Sequence, residues 1–279
     1  MNSLFLKRYE SLIGQINEAL DAYLGAIPSP LNEVCRYGVE GGGKRLRPVL
    51  FLSVLKAYKK EITADDLKYA AAIECIHAYS LIHDDLPEMD NDDYRRGKPS
   101  CHKKFGHSLA LLAGDALLNY AFELMSEVAQ KGEKYVKAMA LTSKCSGARG
   151  MIAGQALEFD SSYVDAGENE LKKINELKTA RLIEASVCSA AIIAGREDHL
   201  ELWKDFSVNF GQAFQLKDDL LDASSDGKSL LLFMSIAGAE QLLNSKIEIL
   251  ESILRGTGSK SEFIMELCKR MLKRNNETI

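Results

Sequence analysis

The sequence predicts an all-α protein, and three observations carry that expectation. All five prolines (28, 30, 48, 87 and 99) lie before residue 100, leaving the last 180 residues without one. A proline-free, Ala- and Leu-rich stretch suits helices, because proline removes an N–H and clashes with the preceding turn. Apolar residues recur at helical spacing over 67–83, 109–127, 136–158, 176–194, 203–222 and 238–255. No segment alternates apolar and polar residues between hairpin turns, as a half-buried strand would. With no internal repeat, low-complexity tract or long polar linker, residues 1–279 are expected to form a single all-α domain of ten or more helices.

Taken in order, "MNSLFLKRYESLIGQINEAL" reads as an amphipathic helix, with no basic-then-apolar leader pattern. The turn "EGGGKRLRP" (40–48) follows and carries three cationic side chains. "YAAAIECIHAYSLI" and "LIEASVCSAAIIAG" are apolar nearly all round, which places them at the centre of a bundle. Polar residues at their ends are then expected to face an interior cavity. "HSLALLAGDALLNYAFELM" is the longest apolar stretch, but Asp115 and Asn119 interrupt it, so no stable membrane insertion is expected. Composition is that of a globular protein, 46% hydrophobic and 27% charged, and a net charge of −5 lacks the basic excess of nucleic-acid binders. The cysteines (35, 75, 101, 145, 188 and 268) form no C-x-x-C pair and sit in apolar helical contexts. Free thiols in a reducing compartment are expected, with the cytoplasm as the address.

The chemistry concentrates in two acidic clusters. "HDDLPEMDNDDYRRGK" (83–98) packs six carboxylates and three cations into sixteen positions, with Asp84, Asp85 and Asp90 following an apolar helix that Pro87 breaks. "QLKDDLLD" places Asp218, Asp219 and Asp222 on a second helical segment, where Gly211, Gln215, Asp218 and Asp222 fall within about 60° of one another. An acidic run is ordinarily a solvated helix end. Here both runs end or interrupt long apolar helices, and neither has the i+4 lysines that neutralise a surface face. Buried carboxylates need a compensating cation. Oxygen donors without an organised His/Cys set point to a hard ion, Mg²⁺ or Mn²⁺. Mg²⁺ completes its shell with waters and phosphate oxygens, so two such clusters suggest a diphosphate held between them through metal ions.

The cationic residues suggest a second anion site. In "EGGGKRLRP" Lys44, Arg45 and Arg47 follow the glycines, nearly matching a nucleotide P-loop. Arg45 stands where that loop needs Ser or Thr, and no strand precedes it, which excludes the match. Either the turn is solvated, or it forms an anion site of backbone N–H groups and cations. Arg95 and Arg96 balance the acids before them or bind phosphate; together with Lys44 and Arg47 they form a candidate metal-free phosphate site. His77, seven positions before Asp84, lies on the same helix face about 10 Å deeper. A satisfied core histidine is the ordinary alternative. Cys101 and His102 lack paired ligands at zinc spacing.

"GGGKRLRP", "LIHDDLPEMDNDDYRRGKPSCHKKFG", "LLAGDALL", "GMIAGQALEFD", "KTARLIEAS" and "FQLKDDLLD" occur in this order between about residues 38 and 226. Co-linear, they resemble the motifs of the trans-isoprenyl diphosphate synthases, and most closely those of the bacterial-type farnesyl diphosphate synthases. The resemblance implies the isoprenoid synthase fold, helices around a deep central cavity, and a homodimer. It further implies about three Mg²⁺ ions bridging the aspartates to an allylic diphosphate. By motif position, Asp84, Asp90 and Asp218 are the principal metal ligands, supported by Asp85, Asp219 and Asp222. Arg95, Lys178, Thr179 and Gln215 contact the allylic substrate, while Lys44, Arg47, His77 and Arg96 hold isopentenyl diphosphate.

The implied reaction is a prenyl transfer in which ionised allylic diphosphate is attacked by isopentenyl diphosphate. Tyr79, five residues before Asp84, resembles an aromatic floor that stops the product at fifteen carbons, although ideal helix geometry puts Ser80 directly beneath Asp84. One departure stands out. The family carries a Gly/Lys-rich loop after the second aspartate motif, whereas "ASSDGKSLLLFMSIAG" offers Lys228 alone. Three alternatives stay open: a geranylgeranyl diphosphate synthase with a deeper pocket, a catalytically silent subunit lacking that loop, and a terpene cyclase. A cyclase has no need of the second cationic site.

Overall fold

The computed structural model describes residues 2–40, 42–58, 61–160, 167–221 and 229–273. Thirteen α-helices among them are α1 (Asn2–Leu24), α2 (Leu31–Glu40), α3 (Leu46–Tyr58), α4 (Ala64–Asp84), α5 (Cys101–Phe105), α6 (His107–Ala129), α7 (Glu133–Ser146), α8 (Met151–Phe159), α9 (Glu168–Asn175), α10 (Arg181–Ile193), α11 (Leu200–Leu221), α12 (Ile236–Gly256) and α13 (Glu262–Leu272). The all-α expectation holds, with one small exception. Residues Tyr94–Arg95 (β1) and Lys98–Pro99 (β2) pair antiparallel across the two-residue turn Arg96–Gly97.

The periodic segments map onto helices with two differences. Segment 136–158 is two helices, α7 and α8, broken at "GARG" (147–150). In that turn a Cβ at Gly147 would stand 2.7 Å from the Ser143 carbonyl oxygen, so a residue with a side chain does not fit the break as it is built. Segment 176–194 begins with a π-helical turn, Glu176–Ala180, before α10. Such turns insert a residue into a helix and re-aim its side chains.

The chain divides into two compact units, Met1–Leu52 with Glu61–Met139, and Ser53–Lys60 with Ala140–Ile279. In the first, α4 is central and packs on α1, α2 and α6. A capping box starts it: the Thr63 hydroxyl accepts from the Asp66 N–H at 3.2 Å and Asp66 accepts from the Thr63 N–H at 3.0 Å. Twelve of its residues are buried, and Phe51 stacks on Tyr69 with ring centroids 5.1 Å apart. By length and composition α6 is apolar enough to cross a membrane. It packs instead on α4, α2 and α5 through Ala110, Ala113, Leu117, Ala121 and Leu124, and its outer face carries Asp115, Asn119, Glu123 and Glu127.

In the second unit, every residue of α10 from Leu182 to Ile193 is buried, as its all-round apolar pattern predicts. It packs on α11, which continues to α12 and α13. Trp203, Phe206 and Phe210 form a ladder along α11, with centroids 5.4 and 5.7 Å apart. Burying each such side chain contributes roughly 1.5–3 kcal/mol.

Candidate active site

The acidic motif of the first unit sits at the end of α4. Asp84 is the last residue of that helix and Asp85 its C-cap. Consecutive residues at a helix end point about 100° apart, so one turns inward and the other outward. Asp85 goes inward. It is 3% exposed, accepts from Arg95 Nε at 2.7 and 2.8 Å through its two oxygens, and lies 2.5 Å from Arg95 Nη2. Burial opposes the Arg95 charge, but the Asp85 hydrogen bond and charge outweigh it and push its pKa up. Asp84 stays half-buried and Asp90 exposed. The chain folds back between them, because Asp90 N–H donates to the Asp84 carbonyl at 2.9 Å and Asn91, at φ +55°, donates to Leu86 at 3.0 Å. The backbone itself therefore sets the spacing of the two outer carboxylates.

Below Asp84 on α4, Tyr79 is 5% exposed and its hydroxyl has no hydrogen-bond partner. Its ring meets His83 edge-on, centroids 5.8 Å apart. Burial, and then the Asp84 charge, push its hydroxyl to about 12. Ser80 turns back to donate to the His77 carbonyl at 2.9 Å.

The cationic residues gather in the same unit. Arg47 Nη1 lies 3.2 Å from His77 Nε2. A guanidinium only donates, so Nε2 accepts and the ring proton sits on Nδ1. Burial, then Arg47, Arg96, Arg45 and Arg95, hold His77 well below the usual histidine range, so it is neutral. Burial also lowers Arg47 to about 10, opposed by Glu74 and reinforced by Arg96. Arg96 occupies the hairpin turn at φ +52°. Its guanidinium lies against Gly43, at φ +130°, where a Cβ would stand 2.6 Å from Nη1. Only glycine lets the loop rest there. Lys44 is exposed, and its carbonyl accepts from the Tyr9 hydroxyl at 2.6 Å.

Two carboxylates absorb one cation from each basic motif. Glu74, 4% exposed in the middle of α4, binds Arg45 Nη1 at 2.9 Å, while Asp85 binds Arg95. Of the two basic motifs' arginines, half-buried Arg47 rests on His77 and exposed Arg96 rests against Gly43.

The second unit holds the remaining candidates. On α11, Gln215 Nε2 donates to Asp219 Oδ1 at 3.1 Å, and the other Asp219 oxygen accepts from the Leu230 N–H at 2.9 Å. Asp219 thus ties α11 to the short turn Leu230–Leu232. Asp218 is half-buried, 3.5 Å from Lys217 Nζ. Asp222 and Lys228 lie outside the described residues, so the spacing argument for Asp222 and the loop around Lys228 have no structural counterpart here. Lys178 and Thr179 sit on the π-helical turn, which packs on α8, α9, α10 and α11. Gly154 makes the approach from α8 possible, since a Cβ there would stand 2.8 Å from Leu177 Cβ and collide with the Lys178 backbone nitrogen. Lys178 Nζ is held at 2.5 Å by Glu158.

Sequence reasoning missed Glu74 and Glu158 as partners of cationic residues. For Glu74 a signal was present: a charge inside an otherwise apolar helix demands a counter-ion. Among the described residues no three His, Cys, Asp or Glu side chains cluster tightly enough to cage a metal. In the first unit half-buried Asp84 and exposed Asp90, and in the second half-buried Asp218, are oxygen donors of the kind Mg²⁺ takes one or two at a time, with water and phosphate oxygens completing its shell.

Residues 28–231 match the polyprenyl synthetase family. Farnesyl diphosphate synthase of Geobacillus stearothermophilus is 36% identical, the match covering 94% of this chain and 95% of that protein. The enzyme of the same name from Escherichia coli (strain K12) is 39% identical over 81% and 78%. The crystal structure of a geranyltransferase from Legionella pneumophila superposes with a TM-score of 0.89 at 29% identity, covering 98% of both chains. These likenesses establish the isoprenoid synthase fold, and the chain belongs to the polyprenyl synthetase family.

Proposed function

We propose that this chain is a prenyltransferase that condenses isopentenyl diphosphate head to tail with dimethylallyl and then geranyl diphosphate, giving farnesyl diphosphate and diphosphate. The observation that supports it most is the division of labour around α4. Half-buried Asp84 and exposed Asp90, joined through the backbone, suit a metal-bound anion, while Arg47 on His77 and Arg96 against Gly43 are cations suited to a second anion. Joining two diphosphate esters calls for both. The relatives named farnesyl diphosphate synthase support the same reading.

In this reading Asp84, Asp90 and Asp218 hold Mg²⁺, with Mn²⁺ as a substitute, and Asp222 joins them. Bound Mg²⁺ supplies positive charge that stabilises the departing diphosphate. Asp85 orients Arg95, and Arg95, Lys178, Thr179 and Gln215 bind the allylic diphosphate. Lys44, Arg47, His77 and Arg96 hold isopentenyl diphosphate. The allylic C–O bond breaks with its electron pair leaving on diphosphate. The isopentenyl double bond then forms the new C–C bond, and the proton lost from that carbon skeleton passes to the released diphosphate. Apolar surroundings keep water from quenching the cation. The whole chain acts as one polyprenyl synthase domain, a reading supported by a family match that runs from 28 to 231 through parts of both units. Assembly into a homodimer in the cytoplasm belongs to the same proposal and is checked by sedimentation and fractionation.

The test is incubation with Mg²⁺, isopentenyl diphosphate and each allylic primer, followed by product-length analysis. Fifteen-carbon product is expected, and absence of product from every primer sinks the reading. A plant relative at 41% identity is named geranylgeranyl pyrophosphate synthase, so product length matters. Buried Tyr79 favours fifteen carbons, and Tyr79→Ala is expected to lengthen the product. An unchanged profile removes Tyr79 as the floor.

A further inference from the structure

The Arg45 side chain reaches neither the exposed loop nor the acidic motif. Its Nη1 donates to Glu74 at 2.9 Å and to the Val39 carbonyl at 2.7 Å, and its Nε donates to Asn17 at 3.1 Å. Three helices, α1, α2 and α4, therefore hold one guanidinium whose own backbone, at φ +45°, leads into α3. On α4 Glu74 and His77 are three residues apart and share a face. In the basic loop Arg45 and Arg47 are two residues apart. The two spacings match, so Arg45 meets Glu74 while Arg47 meets His77.

This pairing has a competitor built into it. Glu74 Oε2 and Arg47 Nε are both buried, and neither has a hydrogen-bond partner. The Glu74 charge is felt at Arg47, so a carboxylate with an unused oxygen and a guanidinium with an unused donor can form an ion pair if Arg45 is removed, and in low dielectric such a pair is strong. If Glu74 took Arg47, the pocket would lose the cation that His77, being neutral, leaves fully charged.

We propose that Arg45 is a positioning residue that occupies Glu74 and so keeps Arg47 on His77 and open to a diphosphate. The inference rests on the assignment of isopentenyl diphosphate to the Lys44, Arg47, His77 and Arg96 site. Arg45 itself touches no substrate.

The test compares three variants of the full chain by calorimetric titration with isopentenyl diphosphate alone, and by steady-state turnover. Arg45→Gln is expected to raise the Kd and KM for isopentenyl diphosphate by about tenfold or more, because Glu74 then captures Arg47. Its kcat and allylic KM change by less than about twofold, as for loss of uniform binding. Arg45→Gln/Glu74→Gln removes the competitor and is expected to return KM most of the way. Arg45→Lys keeps the counter-charge but not the fork, and stays near wild type even if Arg45→Gln fails to fold. A folded Arg45→Gln with unchanged KM overturns the proposal. So does a double variant that regains thermal stability without regaining KM, or an Arg45→Lys variant as impaired as Arg45→Gln. A wild-type chain that neither binds isopentenyl diphosphate nor turns over overturns the parent assignment instead, and is recognised before any variant is made.

Discussion

The end of α4 and the end of α11 carry similar aspartate pairs, yet they handle charge differently. At α4 the compensation is built in: Asp85 is locked to Arg95 and Glu74 to Arg45, which leaves Arg47 on a neutral histidine and Arg96 against Gly43. At α11 Asp219 is met by neutral groups, Gln215 and the Leu230 N–H, Asp218 makes a long contact to Lys217 at 3.5 Å, and the candidate cation Lys178 is held by Glu158 at 2.5 Å. Under the proposed assignment, the first region is preorganised for an anion that brings no metal. Under the same assignment, the second exchanges a protein partner, Glu158 on Lys178, when its anion arrives. A metal-free site needs its cations pinned in advance, because their mutual repulsion would otherwise scatter them.

The largest effect expected is from Asp84→Ala or Asp218→Ala, each lowering turnover by about 10²–10³ or more with the fold intact by circular dichroism. Near-normal turnover in either would break the parallel between the two regions. Next, Arg47→Ala and Lys178→Ala should separate the substrates. The first raises KM for isopentenyl diphosphate by about tenfold or more, and the second raises KM for the allylic partner by a smaller factor, since losing Lys178 also releases Glu158. Equal effects on both substrates would erase the distinction. The smallest effect concerns pH. His77 is neutral in the fold and its pKa is depressed, so below about 6.5 the unfolded chain binds a proton that the folded chain refuses. That contribution to stability is complete above the unfolded pKa and is lost as pH falls through it. His77→Gln is expected to flatten the acid side of the melting-temperature profile between pH 7 and 5, and an unaltered slope would show that His77 is not the residue responsible.

Much of this was readable in the chain. Period alone located α4, α6, α11 and α12, because their buried faces repeat every turn. It overlooked the break between α7 and α8, since the apolar residues on either side stay in phase across 147–150. The π-helical turn at Lys178 is invisible to period, being set by close contact with Gly154 and Gly211. At the site, residue types pointed to oxygen-bound metal and phosphate. Which of two adjacent aspartates turns inward was not legible, because it depends on where the first strand of the hairpin places Arg95. The role of Asp219 depends likewise on a backbone N–H eleven residues downstream.

Arg45 and Arg96 both hold the left-handed backbone conformation, at φ +45° and +52°. An arginine there costs about 1 kcal/mol relative to glycine, which adopts it freely. Screening a library of this protein for heat resistance alone would therefore draw glycine to position 96, and the fittest clones by that measure would have lost a cation proposed to hold isopentenyl diphosphate. On that proposal thermal stability and substrate affinity pull against each other at a single turn, so a stabilised variant should be selected with isopentenyl diphosphate present.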